Sequence, residues 1–179
     1  VAMKRNPEKT RQWYEKAQQV RKMSDSLYMF AEELKWEIVR DVDGDDADLE
    51  NIEGRDNLEA ATHVMLAPGV GKGGKLKQAI ESYRDGITQM INDQQQREII
   101  QSNLTTEVPR KAKMLGKNWQ EYMFENTPVA AAVTLLTKLQ TDVRYAEGEM
   151  LHQLVANIDV KDVRVNQINA FVIPNSQTV

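Results

Sequence analysis

The run of residues from Asn126 to Ile158 constrains the fold more than any other part of the chain. Thr127 is a favourable helix N-cap, and Pro128 suits the first helical position, where its missing N–H costs nothing. Apolar residues then recur at alternating steps of four and three, which places them on one face of a helix. They are Ala132, Leu136, Leu139, Val143, Ala146, Met150 and Leu154. At about 1.5 Å per residue this helix would be about 45 Å long, so we expect an elongated molecule.

Two earlier segments carry the same apolar spacing. One follows Asn6-Pro7 and predicts a helix near 7–40, and the other predicts a helix near 75–104. Such a face packs on sister helices within a domain or forms a coiled-coil seam with another chain, and we expect the former. The predicted fold class is therefore all-α, an elongated up-down helical bundle of long helices. Helix should account for well over half of the residues.

After Ile158 the apolar period changes from 3.6 to 2. Val163, Val165, Phe171 and Ile173 would share one face of an extended chain. We therefore expect a helical bundle domain over 1–159 and a short β segment over 160–179. This strand or linker would begin a further β domain and would be ordered only by contacts outside the bundle.

Composition excludes several classes of function. The chain has 179 residues, enough for one domain, and its net charge of −4 argues against a nucleic-acid partner. It has no cysteine, which excludes disulfides, thiol nucleophiles and cysteine metal sites. There is no apolar run of membrane-spanning length and no signal-peptide pattern. The sequence begins at Val1 and stops at Val179 within an apolar-polar alternation, so we expect an excised segment.

The acidic stretch 41–56 invites a calcium interpretation. Asp41, Asp43 and Asp45 occupy the first, third and fifth places of a calcium loop. The sixth place, which needs glycine, holds Asp46, and the twelfth, which needs glutamate, holds Ile52. We therefore predict a solvated acidic turn in which single Asp or Glu replacements change stability little.

The glycine-rich stretch from Gly69 to Lys75 matches the first seven places of a phosphate-binding loop. Leu76 stands where a hydroxyl would hold Mg²⁺, and no buried strand precedes the loop. We expect a flexible connection between helices. The alternative function is a helical ligand-binding or nucleotide-binding adaptor that uses the loop 69–75.

Residues that could support catalysis are scarce. The two histidines, His63 and His152, lie in unrelated segments, and Glu147 and Glu149 fall on different faces of their helix. We therefore predict that the chain is not an enzyme and that it has no catalytic, cofactor-binding or metal-binding residue. Gly148 would permit a close helix contact. The aromatic cluster of Trp119, Tyr122 and Phe124, with Met123, would plug one end of the bundle, and a partner-binding patch is the alternative.

Residues 126–151 and the final NAFVIPNSQTV (169–179) resemble the GldM/PorM family. This family is the periplasm-spanning subunit of the type IX secretion and gliding-motility machinery of Bacteroidetes. The resemblance is specific over roughly 118–179 and looser over 1–110. It implies that this chain is the first periplasmic domain, which is helical and is followed by β domains.

The resemblance also implies a role and partners. An N-terminal helix outside this chain would anchor the protein in the inner membrane, next to a motor partner of the GldL/PorL type driven by the proton gradient. Later domains would contact outer-membrane ring components of the secretion system, and the intact protein would be a homodimer. The implied function is non-enzymatic: a periplasmic part of a molecular motor that couples the inner membrane to the outer-membrane complex, without nucleic acid, small-molecule substrate or cofactor.

Overall fold

The computed structural model describes the backbone of residues 7–172 and the side chains of residues 7–158. Seven helices and no strand occur in this part of the chain, which confirms the all-α prediction. They are α1 (Pro7–Asp43), α2 (Ala60–Leu66), α3 (Gly73–Met90), α4 (Gln94–Asn103), α5 (Arg110–Met114), α6 (Trp119–Phe124) and α7 (Val129–Val172). Helix accounts for more than half of the residues, as predicted.

Helices α1 and α7 are the two long elements, with 37 and 44 residues. They are antiparallel, because Asp25 of α1 pairs with Arg144 whereas Lys35, further along α1, bonds the earlier Gln140. At about 1.5 Å per residue they span about 55 and 65 Å. The predicted elongation is a consequence of these lengths.

Helices α3 and α4 complete the bundle. Ser24 of α1 meets Tyr83 of α3, while Glu37 meets Lys72 at the start of α3, so α3 is antiparallel to α1. The direction of α4 is reversed again. It starts beside Gln153 of α7, and the Leu104 carbonyl at its end accepts a hydrogen bond from Arg84 of α3. The helices α1, α3, α4 and α7 therefore form an up-down-up-down bundle.

The single helix predicted over 75–104 is wrong, because the chain turns between α3 and α4. Ile91 leaves the helical region with φ −90° and ψ 127°, and Asp93 caps α4 by accepting a hydrogen bond from the Gln95 N–H. Asn92 and Asp93 are residue types that favour turns and caps over helix interiors. The turn makes two antiparallel helices of one predicted helix.

A side chain of α7 satisfies the backbone at this turn. Gln153 accepts from the Asn92 N–H at 2.8 Å and donates its amide N–H to the Met90 carbonyl at 2.8 Å. Polar backbone groups that the helix break leaves unpaired are thereby bonded. The position of Gln153 also marks where the four-helix part of the bundle ends along α7.

The β segment predicted over 160–172 is also wrong, since α7 continues to Val172. The sequence from 149 to 173 contains no glycine or proline to stop a helix. Extending an existing helix adds one backbone hydrogen bond for each residue fixed, which outweighs a short alternation of apolar residues. The rest of the predicted segment, 173–179, lies outside the described residues, and the boundary predicted at 159 stays a prediction.

The core lies between the four bundle helices. Most of the predicted stripe of α7 is buried, and Leu139 is half-buried against the core. The stripes of α1 and α3 contribute Leu27, Ala31, Leu34, Ile38, Leu76, Ile80 and Ile87. No helix among the described residues is both long and apolar enough to cross a membrane.

Candidate functional site: the α1–α7 seam and the loop end

A polar cluster joins α1 to α7, and we call it the polar seam: the buried Lys35 and Gln140, the half-buried Glu32 and the exposed Thr137. The ammonium of Lys35 lies 3.0 Å from Glu32 and donates to Gln140 at 2.8 Å and to Thr137 at 3.1 Å. Gln140 donates in turn to Glu32 at 2.8 Å and to the Tyr28 carbonyl at 3.2 Å. The two buried members, Lys35 and Gln140, are thus bonded to each other and to the other polar groups of the seam, as burial requires.

The charge of Glu32 is stabilised by this arrangement. The hydrogen bond from Gln140, and then the neighbouring Lys35, lower the pKa of Glu32 against the opposing effect of burial. Hydrogen bonds to the ionised form of a carboxyl favour that form. The seam is therefore a charged pair with a shared amide rather than a neutral contact.

A second buried contact ties three helices together. The Tyr83 hydroxyl of α3 donates to the Val143 carbonyl of α7 at 3.1 Å, and the Ser24 hydroxyl of α1 lies 2.8 Å away. Because a phenol has one hydrogen, Ser24 is the donor of the second bond. Burial raises the pKa of Tyr83 to about 12.

Arg144 closes the seam on the outside of the bundle. Its guanidinium lies over the Tyr28 ring, 4.2 Å from the centroid, and bonds Asp25 at 2.8 Å and Glu147 at 3.0 Å. The hydrogen bond to Asp25, and then that to Glu147, raise the pKa of Arg144. Glu147 is therefore a structural partner and not half of a catalytic carboxylate pair.

The acidic stretch 41–56 is packed, which contradicts the prediction of a merely solvated turn. Asp43 accepts hydrogen bonds from the backbone N–H groups of Glu53 at 2.9 Å and Gly54 at 2.8 Å. A Cβ at Gly54 would overlap the Val42 side chain. Four apolar residues of the stretch pack against the core: Val42, Ala47, Leu49 and Ile52.

The end of this stretch and Asn57, the residue after it, cap α7. The Asn57 carbonyl accepts from the Val129 N–H at 3.1 Å, and the Arg55 carbonyl accepts from the Ala130 N–H at 3.0 Å. The predicted N-cap role of Thr127 is wrong, because its hydroxyl donates to the Met123 carbonyl at 2.9 Å. Two N–H groups that a helix start leaves unpaired are thus satisfied by a distant loop.

Nothing in the described residues forms a metal site. No group of three His, Cys, Asp or Glu side chains there could hold an ion. His63 lies 2.8 Å from Asp41 and ties α2 to the end of α1, while His152 lies exposed on α7. Asp43, the central residue of the calcium pattern, already bonds two backbone N–H groups.

The glycine-rich loop is bound to the helices around it. Its N–H groups at Val70 and Gly71 donate to the Ala67 carbonyl, and that of Lys72 donates to the Val64 carbonyl. The Lys72 ammonium pairs with Glu37. A phosphate-binding loop needs such N–H groups free to face the phosphate, and helix α2 precedes this loop where a strand is required.

The glycines here serve close packing instead. A Cβ on Gly73 would lie 2.6 Å from Gln120 of α6, and one on Gly71 would lie 2.7 Å from the Met65 carbonyl. The prediction that Gly148 permits a close helix contact is wrong, because a Cβ there would meet nothing within 4 Å. The packing role lies in the loop rather than in α7.

Short helices and two loops close one end of the bundle, and we call it the loop end: residues 41–72 and 105–128. Trp119 and Phe124 are buried there with edge-to-face rings, 6.0 Å between centroids. Tyr122 is exposed. The predicted aromatic plug thus consists of Trp119 and Phe124, with Met123 half-buried against the core.

The sequence patterns missed the polar seam and the capping of α7. Lys35 and Gln140 are polar, so an apolar-spacing argument places them at the surface. Only three-dimensional proximity shows that each is the other's partner across 105 positions of chain. The arrangement can fix the relative position of two long helices.

Comparison with known families gives one match. The family model described as the GldM N-terminal domain matches residues 1–157. A comparison with curated protein sequences finds no significant match. The family match covers most of the chain and includes α1 to α6, the polar seam and the loop end. The chain therefore belongs to the GldM family, and it contains the N-terminal domain of that family.

Proposed function

We propose that this domain is a stiff, non-enzymatic mechanical element of a gliding or type IX secretion motor. The GldM family is a structural subunit of that machinery and not an enzyme family. The observation that carries the proposal is the polar seam, which fixes α1 against α7 in one register. In this role the domain passes motion from a proton-driven inner-membrane motor towards the outer-membrane secretion complex.

The path of the load follows from the topology. Helix α1 begins, and α7 ends, at the end of the bundle opposite the loop end. A force applied to the start of α1 and resisted beyond α7 must therefore cross from one helix to the other as shear. Sliding α1 by one helical turn, about 5.4 Å, would separate Lys35 from Gln140 and leave buried polar groups unpaired.

The remaining parts of the proposal follow the resemblance to the family. The domain lies in the periplasm, an inner-membrane helix precedes it, and a subunit of the GldL/PorL type is its motor partner. The intact protein is a homodimer, and domains that follow a boundary near 159 contact the outer-membrane ring. The unbroken helix α7, which crosses that boundary, would be the connection to those domains.

A helix break in α7 tests the proposal in cells that carry the full-length protein. Thr141 is exposed in the middle of α7, so Thr141→Pro removes a backbone hydrogen bond and costs about 3 kcal/mol without removing a seam side chain. We expect Thr141→Pro to abolish secretion and gliding and Thr141→Ala to retain both. The proposal is wrong if Thr141→Pro is folded by circular dichroism, present at the normal level and fully active.

The adaptor that would bind nucleotide at 69–75 has a separate test. Lys75→Ala removes the lysine that a phosphate-binding loop requires, and we expect it to retain secretion. Mg-ATP should not shift the melting temperature of the wild-type domain, whereas a ligand at 100 times its Kd would add about 2.7 kcal/mol. A shift that Lys75→Ala removes would instead establish the adaptor.

A further inference from the structure

One surface segment is unlike the rest of this acidic chain, and we call it the basic tip: residues 110–117. Met114 and Leu115 are 77% and 75% exposed, the highest values among the large apolar side chains that the structure describes. Arg110, Lys111 and Lys113 lie exposed beside them. Large adjacent apolar side chains in water usually mark an interaction site.

The charges of the tip are available to a partner. Lys117 lies 4.0 Å from Glu125, whereas Arg110, Lys111 and Lys113 form no ion pair with any described residue. Glu107 is the nearest acidic residue along the chain, so the tip stays positive while the whole chain carries −4. Its charge therefore favours an anionic partner.

The backbone holds the apolar pair in place. Gly116 has φ +75°, and its N–H donates to the Lys113 carbonyl at 3.0 Å, while the Lys117 N–H donates to the Ala112 carbonyl at 3.1 Å. These two bonds form a Schellman motif at the end of α5. Because the turn is already closed, binding through Met114 and Leu115 would require little further ordering.

The shape of the tip distinguishes between two kinds of anionic partner. Of the residues in α5, only Ala112 is buried, and Met114 and Leu115 project into solvent. A protein partner would need a matching concave pocket, whereas a bilayer surface needs none. Apolar side chains that enter the acyl boundary beside cations that meet anionic headgroups are typical of interfacial membrane binding.

We propose that the basic tip is a docking site for an anionic lipid bilayer. Met114 and Leu115 enter the interface, and Arg110, Lys111 and Lys113 contact headgroup phosphates. This proposal does not depend on the proposed function. If both this proposal and the proposed function hold, a membrane anchor precedes α1 and the basic tip lies at the other end of the bundle. The tip then reaches the same membrane only when the bundle lies along the membrane surface.

Vesicle sedimentation tests the proposal with the whole chain. The wild type should sediment with vesicles of phosphatidylcholine and phosphatidylglycerol and remain free with phosphatidylcholine alone. The double variant Lys111→Gln/Lys113→Gln should bind the anionic vesicles roughly thirtyfold more weakly, at about fivefold for each charge. The double variant Met114→Ser/Leu115→Ser should bind roughly tenfold more weakly or worse.

Two control variants match these changes elsewhere on the surface. Arg21→Gln/Lys22→Gln removes two exposed cations of α1, and Val70→Ser removes an apolar side chain that is 73% exposed. Both should bind as the wild type does. All the substituted residues are exposed, so circular dichroism should show the same fold for every variant.

Three results would overturn the proposal. The first is a wild type that does not sediment with anionic vesicles even at low salt, and the second is a loss of binding in the control variants as large as that in the tip variants. The third is binding to polyglutamate, lost in the tip variants, without binding to vesicles. That result would assign the tip to an acidic polypeptide partner.

Discussion

The two ends of the bundle share one apolar spacing but differ in burial. At the loop end, α1 buries Leu34, Ile38 and Val39 completely. At the other end, which we call the projecting end (residues 7–19 of α1), every side chain is exposed or half-buried. Trp13 and Ala17 continue the stripe of α1 there and are only half-buried.

The two ends differ in burial because more helices and loops pack against α1 at the loop end than at the projecting end. Helices α3 and α4 stop at their turn, which Gln153 of α7 holds, whereas the loop end adds α2, α5, α6 and two packed loops. An apolar stripe makes a helix amphipathic, but its stabilisation depends on the area that other elements cover. The loop end should therefore carry most of the stability of the domain.

Truncating one aromatic at each end should give the largest contrast. Phe124→Ala removes a side chain that is 1% exposed, and we expect a loss of about 3–5 kcal/mol in the free energy of unfolding. Trp13→Ala at the projecting end should cost about 1 kcal/mol, because its side chain is only partly covered by other elements. Urea unfolding measures both, and equal losses would remove the distinction between the ends.

Alkaline pH should weaken the contact by which Tyr83 ties α3 to α1 and α7. The pKa of Tyr83 is raised to about 12 from 10.0, so the folded state binds this proton more tightly than the unfolded state. The contribution of the protonated Tyr83 to the free energy of unfolding is complete below pH 10. It is lost as the pH rises to about 12, and the loss amounts to roughly 2–3 kcal/mol.

The variant Tyr83→Phe is the control for this effect. It should be less stable than the wild type at neutral pH, since it removes the bonds to Val143 and Ser24. Its stability should then fall less steeply between pH 10 and 12. Parallel curves for the two proteins would show that Tyr83 does not titrate in that range.

The packed acidic stretch at the loop end predicts a smaller effect. Asp43→Ala removes the acceptor of two backbone N–H groups and should cost about 1–2 kcal/mol. Asp45→Ala changes an exposed carboxylate in the same stretch and should stay within about 0.5 kcal/mol. Equal melting temperatures for the two variants would contradict the packed stretch and support the solvated turn that the sequence predicts.

The smallest effect should be a gain. Gly148 of α7 has open space where a Cβ would lie, and its backbone is helical. Gly148→Ala should therefore stabilise the domain by up to about 1 kcal/mol, because alanine has the higher helix propensity. A lower melting temperature would mean that this face of α7 is in contact with something.

The sequence was sufficient for the elements that apolar spacing controls. The fold class, α1, the start of α3 and the stripe of α7 followed from steps of three and four. The turn at Asn92–Asp93 had a local signal, the Asp93 cap, which the longer apolar series overrode. The helical continuation of α7 beyond Ile158 was missed because a short alternation resembles a strand when the preceding helix is ignored.

The polar seam and the packed acidic stretch 41–56 had no such local signal in the sequence. Lys35 and Gln140 stabilise each other only when α1 and α7 lie side by side, so neither is recognisable alone. Asp43 reads as a solvated charge or a calcium ligand until Gly54 is folded against it. Contacts of this kind depend on the tertiary fold, and a single sequence gives no pairing information about them.

Hydrogen exchange along α1 tests the difference between the two ends most directly. Amides of a buried core segment exchange only when the whole domain unfolds, whereas those of a weakly packed segment exchange by local opening. We predict that the amides of 27–39 exchange at the global limit and that those of 11–17 exchange at least about a hundredfold faster. Uniform protection along α1 would contradict the account, because the projecting end would then be as firmly held as the loop end.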